Sequence, residues 1–361
     1  VAVKYDLDAY LKSYIAATQK AVCEYSQNQI DESVYDVPCH SYEEHIKKCL
    51  FLKFCLENMD CYSDVEQDTI ISLANQYSRN CGNCVVSAAE LAAFKLTPKG
   101  KELSDEFLDP DVKKYKNKSG VSDGVIIPLV NTYVTELKAA GLWSKFYAIY
   151  PFLGGTATTS SFNLKDADFY QISWAGGMTY GMLGVGFNGT TGFGDTNFDF
   201  SVIASTIEDI HFSFSTTDAN GGLANTPMGV GSTAVDDRIR MAFDAGTNNY
   251  YADMWSNADL AGRVLASGLG APAGHYLATR YNDSAAFIYL DGVQTALNSA
   301  TVNVSEVPSD TFYIGASNVA GVATGFTTKT LGLATIGKYM TGTDMTSFQT
   351  ITDKFLTSLG R

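Results

Sequence analysis

Cysteine stops at Cys84. All seven cysteines of the 361-residue chain (Cys23, Cys39, Cys49, Cys55, Cys61, Cys81 and Cys84) fall at or before that position. An odd number confined to one stretch does not spell the paired framework of a secreted domain. It reads as thiols made in a reducing cytosol. Basic charge is short as well: 25 Lys and Arg stand against 39 Asp and Glu, for a formal net charge of −14. A surface of that sign repels phosphate and lacks the cation clusters that counterion release requires. This excludes a nucleic-acid partner and disfavours anionic membranes. No run of about 18 apolar residues occurs, so no segment reads as a membrane-spanning helix. The first residues, Val1–Tyr14, lack the basic-then-apolar layout of a secretory leader, so the expectation is that none is present or that it has been removed.

What is present is material for a large core. Hydrophobic residues make up 45% of the chain, with 21 Tyr and 20 Phe. The length exceeds the roughly 250–300 residues at which single cores stop growing, so more than one core is expected. The stretch Gly141–Gly155 (GLWSKFYAIYPFLGG) divides two textures. Trp143, Phe146, Tyr147 and Tyr150 predict an aromatic helical turn that Pro151, Gly154 and Gly155 end, docking a helical front half onto a following sheet.

Ahead of that stretch, Leu7, Leu11, Tyr14, Ile15 and Val22 recur at helical spacing, and Ser41–Glu44 and Ser63–Glu66 are capping boxes. They predict a small helical bundle over 1–95. Pro98, Gly100, Pro110, Gly120 and Gly124 mark 96–124 as a linker with at most a short helix, carrying the basic run Lys113, Lys114, Lys116 and Lys118. A helical connector over 125–155 follows, its helix starting at Pro128 and ending before Gly141 as the C′ glycine.

Over 156–361 the period becomes two and β-formers dominate. Predicted strands are Phe169–Trp174, Phe198–Ile203, His211–Ser215, Ile239–Asp244, Tyr250–Trp255, Gly274–Tyr281, Ala286–Leu290, Val293–Leu297, Thr311–Gly315 and Thr335–Gly337. Asp291-Gly292 predicts a hairpin with a type I′ turn. Phe348, Ile351, Phe355 and Leu359 give the apolar face of a closing helix capped near Thr343 or Asp344. The fold class read from these patterns is α+β multidomain: a helical bundle, then an all-β jelly-roll sandwich with a C-terminal helix.

The segments Leu137–Asp166, ISWAGG, FNGTTGFGDT, HYLATRYNDSAAFIYLDGVQ, FYIGASN and FQTITDKFLTSLGR resemble, in order, tailed-phage virion proteins that carry a concanavalin A-like (laminin-G/pentraxin-like) sandwich. The cysteine-dotted head is similar in style to proteins of crAss-like and other Bacteroidetes phages. The resemblance implies a non-enzymatic fibre or decoration protein made in a host cytoplasm. Its 1–95 head would anchor it to other virion proteins, and its exposed lectin-like domain would serve attachment to bacterial glycans. Self-association is expected too.

Several patterns suggest chemistry. Gly184–Gly189 satisfies GxGxxG, but TTGFGDT follows where a helix must begin, so a glycine-rich β-loop is expected. Gly332–Lys338 nearly spells a P-loop but continues into Tyr339, where Ser or Thr is needed. His45 and Cys49 at helical spacing, with Cys81 and Cys84 in a CxxC, are a candidate zinc set; buried helix cysteines are the plainer account. Asp195, Asn197 and Asp199 alternate and are a candidate calcium site, against a solvated strand edge; no other cofactor is implied. Tyr250, Tyr251 and Trp255, or Tyr276 and Tyr281, are candidate sugar platforms, against ordinary core aromatics. No ExDxxE, GxSxG or HExxH occurs, which predicts no hydrolysis. The alternatives are a glucanase-like carbohydrate-active enzyme and a purely architectural capsid or tail part.

Overall fold

Runs of β-branched and aromatic residues between Gly, Asn and Asp turns make strands here, because such side chains pack on a pleated surface while the turn residues tolerate left-handed backbone. The computed structural model describes residues 108–361 apart from 204–208, 219–224, 232–237, 245–246, 257–261, 283–284 and 300–307. The bundle expected over 1–95, and its cysteines, lie outside the described residues.

Strands are numbered in chain order. One sheet contains β1 (Phe146–Tyr150), β3 (Met178–Gly181), β4 (Gly184–Phe187), β6 (Ile210–Thr216), β11 (Gly274–Asn282), β12 (Ala285–Leu290), β13 (Val293–Asn298) and β17 (Thr330–Gly337). Its order is β13-β12-β11-β6-β17-β4-β3, and β1 pairs with β17 beyond β4. The other contains β2 (Ser173–Ala175), β5 (Phe193–Asp199), β7 (Asn225–Gly231), β8 (Arg238–Asp244), β9 (Asn249–Ser256), β10 (Arg263–Ala266), β14 (Thr311–Ile314), β15 (Ser317–Val319) and β16 (Val322–Thr324). Its order is β10-β9-β8-β7-β14-β5-β2, with β15 alongside β7 and β16 alongside β15. Among the described residues every pairing is antiparallel except β15 with β7. The expected two-sheet sandwich with a C-terminal helix is therefore present.

The inner faces meet in an aromatic-rich core. Phe212, Phe214, Tyr276 and Ile336 come from the first sheet, and Ile239, Met241, Phe243, Tyr250 and Phe312 from the second. Tyr276 meets Phe243 and Tyr250 edge-on, at 5.3 and 5.0 Å between ring centres. That geometry adds about 0.5–1.5 kcal/mol per pair beyond the area buried. A second core lies on the outer side of the first sheet. Leu277, Tyr289 and Leu333 there are covered by α1 (Pro110–Ser119), α2 (Ile126–Ala139) and α3 (Gly342–Ser358), through Tyr115, Val130, Leu137, Phe348 and Phe355. Packed on both faces, β6 is buried at all seven positions. No residue of the second sheet joins this helical core, so the second sheet keeps an outer face clear of the described helices.

Local departures from expectation have local causes. The chain leaves α2 at Ala140 through a Schellman cap: Gly141 has φ 70, its N–H donates to Lys138 O, and Leu142 N–H donates to Leu137 O. The aromatic stretch behind it is therefore no helical turn. Trp143–Lys145 is a single 3₁₀ turn and Phe146–Tyr150 is a strand; alternation sends Ala148 and Tyr150 into the inner core and Ile149 into the helical one, and a register shift between Phe146 and Ala148 lets Phe146 join Ile149. Pairing with β17 outweighs local helix propensity. Trp143 is half-buried beneath Lys138 and Lys165 and packs on the helical core, so it is not the residue that docks onto the sandwich interior. The α2 helix starts at Ile126, not Pro128: Asp123 Oδ1 accepts from Val125 and Ile126 N–H, and proline is tolerated where the first-turn N–H has no helical partner.

Strand Phe169–Trp174 shrinks to β2, and Phe198–Ile203 divides into the end of β5 and one helical turn at Phe200–Ile203. The Asp291-Gly292 turn has φ 49 and 73, as a type I′ turn requires. The closing helix is capped at Thr341, earlier than expected: Thr341 Oγ1 accepts from Asp344 N–H, and Asp344 Oδ2 accepts from Thr341 N–H. Thr341→Ala is expected to cost about 1 kcal/mol, read as a lower urea midpoint at unchanged m-value.

Candidate ligand-binding surface

The five candidate platform residues separate by face. Tyr250 and Tyr276 point into the inner core at 1% and 0% exposure, and Tyr276 Oη donates to Pro272 O at 2.6 Å. Trp255, where φ is 58, is also fully buried, against Phe200. None of these three rings presents a face to solvent, because inward strand positions are what the sandwich core is made from. Tyr281 is exposed and pairs with Tyr339 at 4.9 Å. Tyr251 stands on the open outer face of the second sheet, half-exposed.

Around Tyr251 the register builds a charged row. Arg263 of β10 lies opposite Asp253 of β9, which lies opposite Arg240 of β8, which lies opposite Gly229 of β7. Asp253 is completely buried. Its Oδ2 accepts from Arg240 Nε at 2.8 Å and Arg263 Nη2 at 3.0 Å, and its Oδ1 accepts from Arg263 Nε at 2.7 Å. The Arg263 guanidinium carbon sits 3.7 Å from the centre of the Tyr251 ring, and that of Arg240 5.6 Å from it. Burial opposes the charge of Arg263, but its hydrogen bonds to Asp253 outweigh that and raise its pKa. Gly229 is required beside this row, since a Cβ there would lie 2.4 Å from Arg240 Cβ. The arrangement fixes two planar cations and one aromatic ring on a sheet surface, as recognition of a polar, ring-shaped ligand demands.

Sequence reasoning found Tyr251 but not its neighbours. The period-two series Arg238, Arg240 and Tyr251, Asp253 carried the signal; the missing knowledge was which strands lie side by side.

The candidate calcium trio is tied into local turns. Asp195 Oδ1 accepts from Asn197 N–H at 2.8 Å, Asp199 Oδ1 accepts from Ser201 N–H at 2.7 Å, and Asn197 Nδ2 donates to Gln171 O at 2.7 Å. Among the described residues no group of three or more His, Cys, Asp or Glu is placed to hold a metal. His45, Cys49, Cys81 and Cys84 lie outside the described residues. Gly184–Phe187 is strand β4, so the GxGxxG match heads no helix.

A cavity of about 410 Å³ lies where α3 meets the ends of β6 and β11, lined in part by Ser215, His275, Asp291, Asp353 and Arg361. Gln349 Nε2 donates to Asp353 Oδ1 at 2.6 Å, which turns Gln349 Oε1 toward His275 Nδ1 at 2.8 Å. A carboxylate and an amide oxygen only accept, so Nδ1 of His275 carries its proton. Burial lowers the pKa of His275 and keeps it neutral. Arg361 donates to the carbonyls of Pro151, Phe152, Met182 and Gly332, and burial lowers its pKa to about 10.

No known protein family matches the chain, and no curated protein does. Solved structures do. Trypanosoma rangeli sialidase in complex with sialic acid aligns over 63% of this chain and 39% of its own, at 12% identity and a TM-score of 0.43. NanB sialidase from Streptococcus pneumoniae aligns over 43% of this chain and 26% of its own, at 12% identity and a TM-score of 0.32. The Ruminococcus gnavus IT-sialidase CBM40 aligns over 40% of this chain and 86% of its own, at 12% identity and a TM-score of 0.30. The chain thus spans about two-fifths or less of the two sialidases. Enzymes stand among these matches, which overturns the expectation that the chain is not one: three missing motifs do not exclude catalysis. None of these three structures is a virion protein.

Proposed function

We propose that this chain is a glycan-recognising β-sandwich whose ligand lies on the outer face of the second sheet, at Tyr251, Arg240 and Arg263. The observation that supports this is the Arg263–Asp253–Arg240 row beneath the Tyr251 ring, on the sheet face that no described helix covers. A pyranose offers an apolar face to an aromatic ring and hydroxyls to fixed donors, and this surface holds both. Tyr251→Ala is expected to weaken binding at least tenfold on a glycan array or by titration, while the melting temperature moves by only a few degrees. Binding unchanged in that variant counts against this face.

A glycan-active enzyme is the second reading, favoured by the cavity beside α3, which holds two carboxylates and a neutral histidine. Release of reducing sugar from a bacterial polysaccharide, abolished by Asp291→Asn or Asp353→Asn in folded protein, supports it; turnover that survives both substitutions removes the cavity from consideration. Display on a phage virion, with other virion proteins and further copies of this chain as partners, rests on the sequence resemblance alone. Its test is the position of the chain in a particle map.

A further inference from the structure

Resting on that reading of the outer face, we infer that its ligand carries a carboxylate, so that an acidic sugar is taken in preference to a neutral one. The chain as a whole bears a formal charge of −14, and β5 sets Asp195 and Asp199 on this same outer face, but the β8–β10 end of the face gathers arginines. Alternation along β8 and β10 puts Arg238, Arg240 and Arg263 on one side of the sheet. Against them stand Asp253 and, at the far end of β8, Asp244, whose Oδ2 accepts from Thr247 Oγ1 at 2.9 Å. Along β8, β9 and β10, among the described residues, three cations stand beside these two carboxylates.

The hydrogen bonds say which atoms remain. Asp253 holds Arg240 through Nε alone and Arg263 through Nε and Nη2. Both terminal nitrogens of Arg240 and Nη1 of Arg263 donate to no partner among the described residues. A guanidinium anchored along one edge presents its other edge as a fork, and a carboxylate fits that fork with two charge-assisted bonds. The side chains of Arg240 and Arg263 are only 19% and 21% exposed, so an anion there is screened less than at an open surface. A neutral sugar offers these nitrogens no charged acceptor. The Arg263–Asp253–Arg240 trio itself holds two cations to one carboxylate, against the net negative charge of the chain at large.

Titration calorimetry on the full chain tests the inference with 3′-sialyllactose and trigalacturonate as carboxylated probes, and lactose and a galactose trisaccharide as their neutral counterparts. At least one acidic probe is expected to bind tenfold or more tightly than its counterpart, and the two acidic arms separate a nonulosonate from a uronate. Amidating the carboxyl of the preferred probe is expected to remove the preference, a readout that needs no variant to fold. Arg240→Gln should do the same, while Arg240→Lys, which keeps charge but not the fork, retains part of it. Equal binding of acidic and neutral probes, or a preference surviving amidation, overturns the inference and leaves the glycan reading standing. Silence toward all four probes and toward a glycan array overturns both.

Discussion

Phe348→Ala is expected to cost about 4 kcal/mol of folding stability, the range for removing a fully buried aromatic side chain. Phe348 is completely buried on α3 and lies 5.2 Å from Phe146 and 5.3 Å from His275, ring centre to ring centre. The lost ring would leave a void bounded by two strands that already pair with neighbours, β1 with β17 and β11 with β6 and β12, so collapse around it is restricted. Urea unfolding at neutral pH checks the figure. A loss below about 1 kcal/mol would mean that α3 rests on the sheet without being part of its core.

Acid is expected to act on the same interface. Lys338 O can only accept, so Nδ1 of His211 carries the proton, leaving Nε2 to accept from Thr335 Oγ1 at 3.3 Å; Ser213 Oγ lies 2.6 Å from that hydroxyl. Burial is the main cause that lowers the His211 pKa, to about 4; the bond to Lys338 O opposes it, and repulsion from Lys145, and from His275 once that ring is protonated, adds to it. Phe146 and Phe348 supply the remaining walls. An unfolded histidine titrates near 6.5. Above that pH both states are neutral and nothing is lost. As pH falls below 6.5 the unfolded chain takes a proton that the folded chain refuses until about pH 4, so stability falls across that window. The loss amounts to about 3 kcal/mol at pH 4, at 1.36 kcal/mol per pKa unit. The lowered pKa of His275 acts in the same direction. Carboxylates titrate in part of this range, so the decisive measurement is the difference between the parent chain and His211→Asn at pH 7 and pH 4.5. An identical acid loss in both would assign the effect elsewhere.

How far the sequence foretold this molecule depends on the range of the force involved. The Asp291-Gly292 hairpin, the Schellman glycine at Gly141 and the apolar stripe Phe348–Phe355 were legible because a turn's φ values and a helix face are decided within a few residues. Phe146–Tyr150 was misread because its structure is decided by β17, a partner distant in sequence. The strand β7, TPMG at its centre, was missed because proline and glycine mask it; Pro227 O accepts from Gly315 N–H, so a β14 neighbour supplies what alternation does not. At the proposed ligand face the same limit appears. A tyrosine attracts notice alone, whereas Arg240, Asp253 and Arg263 become a unit only once β8, β9 and β10 are known to be adjacent.

The place of β17 bears on how such a chain leaves the ribosome. It fills the middle of its sheet, between β6 on one side and β1 with β4 on the other, although all its partners are synthesised long before it. Until Thr330–Gly337 emerges, the facing edges of β1 and β6 have no partner to close them, and each is a template for pairing with another nascent chain. Folding dominated by such distant pairings belongs to the slow class. Stalled or prematurely released chains lacking β17 should consequently aggregate, and the soluble yield of the protein should depend on how quickly this strand is delivered.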